Sequence, residues 1–296
     1  MSTAETAAPP AGPAVTMGRV PGAVPAWFRL FGSELRLVFR RLRNLALLAA
    51  LAALPILLGI ALRLSAPRGG GGPESSFIDQ LAGNGVFLAF IALTVMIALM
   101  LPLAVAVVSG ESVAGEAGLG TIRYLLTVPA GRTRLLAAKY AAIVVFALAS
   151  CSVVVGASLA AGAALFGVGP VTLLSGNTVS LGQGLVRVLF VTLYVAAGMA
   201  ALGAIGLAIS TFTEHPIGAI ATVLVLAVVS EVADNIPQFA VVQPYLPTHW
   251  WLSFDSLLRT PIDAASLLHG LLSFGVYIVV FCAIAWARFT SADISS

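Results

Sequence analysis

YAAIVVFALASCSVVVGASLAAGAALF, residues 140–166, contains no charged side chain. A membrane-spanning helix needs about 20 largely apolar residues to cross a hydrocarbon core about 30 Å thick. This run exceeds that length, and Lys139 marks its start. Five more runs read the same way. Asn44 to Leu62 lies between Arg43 and Arg63, and Gly85 to Ser109 precedes Glu111. Val188 to Thr211 follows Arg187, Ile217 to Ser230 lies between His215 and Glu231, and Leu267 to Ala287 precedes Arg288. The fifth run, Ile217 to Ser230, is short. It spans only if it stands upright, if the bilayer thins, or if flanking residues extend it. Pro216 suits the first turn of that helix, where no N–H is needed. Pro55 and Pro102 fall inside spans and predict kinks.

Composition agrees. Of the 296 residues, 59% are apolar and 9% charged, against roughly 25% charged in a soluble domain. A mean hydropathy of +1.04 excludes both a soluble globule and a disordered chain. The expected fold class is an all-α membrane protein with six transmembrane helices. Cys151 and Cys282 both lie in apolar runs and read as packing residues rather than a disulfide or metal pair. Residues 1–25, rich in Ala, Pro and Gly, read as a disordered cytoplasmic tail, and 26–296 as the six-span domain.

Six spans put both termini on one side. That side collects Arg19, Arg29, Arg36, Arg40, Arg41, Arg43, Arg123, Arg132, Arg134, Lys139 and Arg288. The other collects Arg63, Arg68, Arg187 and Arg259. The excess of cations makes the first side cytoplasmic. Residues 167–184 carry no charge at all, as an external loop would. Between Glu231 and Ser266 stand four prolines, the Trp250–Trp251 pair and the acids Glu231, Asp234, Asp255 and Asp263. A structureless loop of that length is uncommon. Short interfacial or re-entrant helices on the outer face are expected there, with the Trp pair at headgroup level.

Two cytoplasmic segments could carry a task. In WFRLFGSELRLVFRRLR, residues 27–43, Trp27, Phe31, Leu35, Val38 and Leu42 form an apolar stripe. Arg29, Arg36, Arg40 and Arg43 lie opposite. This amphipathic basic helix suits the inner leaflet and serves either as a simple anchor or as a docking element. The second segment is residues 109–140. It opens with Glu111 and Glu116, breaks at Gly118 and Gly120, and continues as a short apolar helix from Thr121 to Thr127. A Pro129–Gly131 turn and a basic entry to the third span follow. A short rigid helix between two spans could pass force to both; composition alone favours a solvated loop with helix caps.

The run E-x-x-x-G-T-I-R-Y-L-L-T-x-P-x-x-R-x-R-L-L-x-x-K-Y, residues 116–140, resembles the signature loop of permease subunits of type-2 ABC exporters. Glu116, Gly120, Thr121, Leu125, Leu126, Pro129, Arg132 and Lys139 fill its positions. The start, with Glu34, Arg36, Arg40 and Arg43, is similar to that family's N-terminal elbow helix, and Arg288-Phe-Thr-Ser-Ala-Asp-Ile to its close. The resemblance implies a permease that pairs with a second copy of itself or with a sister permease in the cell membrane. Each permease would dock a separate ATPase subunit. The loop containing Glu111 and Glu116 would couple the two, with Thr213, Glu214 and His215 as a second contact. ATP and Mg would sit on the ATPase, and this chain would bind no cofactor and no nucleic acid. The sequence contains no G-x-x-x-x-G-K-[ST] phosphate loop. The nearly charge-free spans would suit a hydrophobic or amphipathic substrate.

Two other classes compete. A secondary transporter would carry paired ionisable groups at mid-membrane, and none stands out. An intramembrane enzyme could be built on His249, Asp255 and Glu231 at the outer face, but no paired metal-ligand spacing occurs there.

Overall fold

Helix α1 (Ala23–Arg40) and helix α2 (Leu42–Ser65) are separated by a single residue, Arg41, in the computed structural model. The structure describes residues 23–65, 85–118, 131–172 and 176–291. The carbonyl of Arg41 accepts from the amides of Asn44 and Leu45, at 3.0 and 3.1 Å, and starts α2. The Asn44 side-chain amide donates to Val38 O at 2.8 Å, taking up a carbonyl that a helix end leaves without partner. The amphipathic run expected over 27–43 is therefore cut at Arg41. Leu42, expected on its apolar face, is 83% exposed.

The second span is two helices, α3 (Phe87–Ile97) and α4 (Met100–Gly118). Pro102 explains the break. It has no amide to donate to Ala98 O, and its ring crowds that carbonyl. The ladder resumes with Leu103 N donating to Leu99 O at 2.9 Å. Helix α5 (Arg132–Phe166) has 35 residues, about 52 Å at 1.5 Å per residue. Its polar first turns, before Tyr140, are surplus to a hydrocarbon core of about 30 Å.

A two-residue antiparallel pairing follows, β1 (Val171–Thr172) with β2 (Thr178–Val179). The charge-free loop reading gave no sign of it. Ser180 then caps α6 (Leu181–Ser210): its hydroxyl accepts from Gln183 N while the Gln183 side chain accepts from Ser180 N. Helix α7 (Pro216–Asp234) has 19 residues, about 28 Å, so the fifth span is longer than the run Ile217 to Ser230. It continues through Glu231 to Asp234. Three 3-10 turns (Pro237–Phe239, Gln243–Tyr245 and Trp251–Leu258) lead to α8 (Ala264–Ser291). They are pinned to the bundle by Tyr194 Oη donating to Trp250 O at 2.8 Å and Tyr277 Oη donating to Tyr245 O at 2.5 Å.

Among the described residues six helices, counting α4 for the second span, are long and apolar enough to cross a membrane. Helix α6 is the central one. In its most apolar stretch 78% of the residues are buried, against 11% for α8, and it packs on α4, α5 and α8. The glycines of α6 permit this. A Cβ at Gly206 would lie 2.0 Å from Ser109 Oγ of α4, so only glycine allows those two helices their present distance.

Candidate functional site

The arginine-rich end of the bundle gathers α1, the last turns of α4 and the first turns of α5. Lys139 of α5 lies at its centre, with its side chain 3% exposed. Its Nζ donates to Glu116 Oε1 of α4 at 2.5 Å and to Glu34 Oε2 of α1 at 3.2 Å. Glu34 is the one acid of α1 and shares a face with Val38, one turn on, so the packing that buries Val38 also turns the carboxylate inward. Burial holds its carboxyl above the usual carboxylate range, and the charge of Glu116 pushes the same way. The pull of Lys139 does not offset them.

One and a half turns earlier on α4, Glu111 accepts from Arg41 at 2.8 Å and from both terminal nitrogens of Arg43. Three acids and three cations thus form two neighbouring clusters, Glu111 with Arg41 and Arg43 and Lys139 with Glu34 and Glu116. The first clips α4 to the α1–α2 corner, and the second ties α4 and α1 to α5. The space between them, lined by Glu34, Arg41, Glu111, Glu116 and Lys139, is about 30 Å³, room for about one water molecule.

The α6–α7 hairpin closes on α4 from another side. Ser210 Oγ, fully buried, donates to Gly110 O at 2.8 Å and accepts from Val113 N and Ala114 N at 3.1 and 2.8 Å. A hydroxyl from α6 is therefore inserted into the backbone ladder of α4. In the hairpin turn, Thr213 Oγ1 accepts from His215 N at 3.1 Å, while Glu214 and His215 are exposed. Gly118, the last residue of α4, rests against the Glu214 carbonyl, which a Cβ would meet at 2.9 Å. The start of α5 is tied to the end of α8. Arg132 Nη1 donates to Thr290 O, and Trp286 Nε1 to Thr133 Oγ1, both at 3.0 Å.

Several expected site residues thus have defined places. Glu111, Glu116 and Lys139 lie on helices, not in a loop, because α4 runs to Gly118 and α5 begins at Arg132. Arg132 bonds to α8. Arg36 and Arg40 lie exposed on α1. Gly120, Thr121, Leu125, Leu126 and Pro129, with the expected Thr121–Thr127 helix, lie outside the described residues. Ser210 was not anticipated: a serine near a helix end carries no sequence signal for insertion into another helix.

At the opposite end, His249, Asp255 and Glu231 do not form a shared centre. His249 Nδ1 pairs with Asp234 Oδ1 at 2.5 Å, and Asp255 pairs with Arg259 at 3.1 Å. No three His, Cys, Asp or Glu side chains among the described residues are grouped to hold a metal.

A family model described as ABC-2 family transporter protein matches residues 39–230, about two thirds of the chain. The chain belongs to the ABC-2 transporter family. As an ABC-2 permease it is a multi-pass membrane protein and a transport component, not itself catalytic. The match runs from the α1–α2 corner into α7. It includes Glu111, Glu116, Lys139 and the α6–α7 hairpin. No curated protein matches the chain.

Proposed function

We propose that this ABC-2 permease is the transmembrane subunit of an ATP-driven exporter, with ATP and Mg bound by a separate ATPase subunit. The observation that supports this reading most is the clipping of α4 and α5 through Glu116 and Lys139. The segment between Gly118 and Arg132 joins two helices that are already locked to each other and to α1. A push on that segment moves them as one body. The α6–α7 hairpin, abutting Gly118, would receive the same push. Closure of the ATPase would thereby shift the permease between inward- and outward-facing states.

The remaining assignments follow from charge and family. The excess of Arg and Lys on one side supports cytoplasmic termini, and the family supports a place in the cell membrane. The permease pairs with a second copy or a sister permease. Gly120, Leu125, Leu126 and Arg132 contact the ATPase within the coupling segment that also holds Thr121 and Pro129, and Thr213, Glu214 and His215 form the second contact.

Co-expression with an ABC ATPase subunit, chosen from beside the gene if one is encoded there, tests this. A two-to-two complex is expected. L125E/L126E should insert normally yet separate ATP hydrolysis from transport. Normal coupling in that variant, or transport driven by a proton gradient without any ATPase, would overturn the reading.

A further inference from the structure

Five arginines lie between Arg29 and Arg43, and the fold divides them into two sets. Arg41 and Arg43 are engaged by Glu111. Arg29, Arg36 and Arg40 are exposed and have no ion pair or hydrogen bond among the described residues. At 3.6 residues per turn these three fall within an arc of roughly 40°, spread over about 16 Å of helix. Glu34 lies about 140° around the helix from the centre of that arc. No acid shares it, because Glu34 points inward to Lys139. Gly32 and Ser33 leave a shallow recess between Arg29 and Arg36. The arc is flanked by exposed apolar side chains, Phe28 at 61% and Leu37 at 49%.

Unpaired guanidinium forks suit phosphate oxygens. Apolar residues beside them suit the boundary between headgroups and acyl chains. The course of α1 fits that depth. Glu34 meets Lys139, and Phe39 meets Phe146 with ring centroids 5.8 Å apart, so α1 climbs along α5 before joining the first span. We infer that the Arg29–Arg36–Arg40 face of α1 docks the headgroups of anionic phospholipids in the inner leaflet. The Glu34–Lys139–Glu116 tie then connects lipid binding to α4. From the proposed function this takes only the cytoplasmic placement of α1.

The test uses the full-length chain alone, in micelles containing equal phosphatidylglycerol and phosphatidylcholine. Native mass spectrometry counts the lipids retained. The wild type should retain phosphatidylglycerol preferentially. Each arginine near an anionic surface is worth about a fivefold change, so R29Q/R36Q/R40Q should lose roughly 100-fold of that preference. R29K/R36K/R40K, which keeps the charge, should retain most of it. Lack of preference in the wild type, or a preference unchanged in the glutamine variant, would overturn the inference. So would a glutamine variant that keeps its lipid but loses the ATPase, because the face would then dock protein. Lipid preference in a chain that never binds an ATPase would leave the lipid site standing and remove the exporter reading.

Discussion

Replacing Lys139 with Met removes the cation from between Glu34 and Glu116. The wild-type ammonium is 3% exposed and the Glu34 carboxylate 9%, so both belong to the buried regime. Glu116, at 16%, retains more water. Removing one partner of a buried ion pair costs about 3–5 kcal/mol, because the other charge is left uncompensated. The wetter Glu116 places K139M in the lower half of that range. At roughly 2 °C per kcal/mol for a chain of this size, the apparent Tm should fall by about 6–8 °C. Proton uptake by one of the orphaned carboxylates should shrink the deficit as the pH is lowered. Neutralising the whole triad, E34Q/E116Q/K139M, should recover much of the loss, since no buried charge then lacks a partner. Cys151 is fully buried in α5, so its modification by a thiol-reactive dye on heating reports unfolding in a C282A background. A K139M deficit below about 1 kcal/mol, or a triple variant no better than the single one, would refute the reasoning.

Three further outcomes are expected. The folded chain holds the Glu34 proton more tightly than the unfolded chain does, so wild-type stability should rise as pH falls through the region just above the usual carboxylate range; E34Q should lack this rise, and identical pH profiles in thermal melts would contradict it. S210A leaves Gly110 O, Val113 N and Ala114 N without their shared hydroxyl and should cost about 1–3 kcal/mol; a loss under about 0.5 kcal/mol would show that the α4 ladder closes on itself. D255N should leave Tm within about 1 °C of wild type, because the Asp255–Arg259 pair is solvent-exposed, whereas D234N, at the half-buried pair with His249, should lower it measurably.

The spans were legible because hydropathy is a local property. Tyr140 to Phe166 announces itself, and Pro102 announces the break in the second span. Helix ends were less legible. Polar residues continue α5 back to Arg132 and α7 on to Asp234, where hydropathy falls but helical hydrogen bonding does not. Glu34, Glu116 and Lys139 were each singled out from sequence, yet their meeting was not. Glu34 and Lys139 are separated by 105 positions, and nothing local encodes that contact. Arg132 was read as part of the signature loop, and only the fold brings Thr290 O to it.

The break at Ala98–Leu99 decides how a load would travel. Helix α3 rests mainly on α5 and α2, whereas α4 rests mainly on α6 and α7. The two halves of one span thus have different bearings. A displacement entering at Gly118 meets a weak joint at Pro102 before it reaches the far half, but meets close-packed small residues sideways at Gly110, Gly206 and Ser210. Under the proposed coupling, work done on α4 would pass laterally into the α6–α7 hairpin rather than along the span's own axis, and the far half of the span would lag behind.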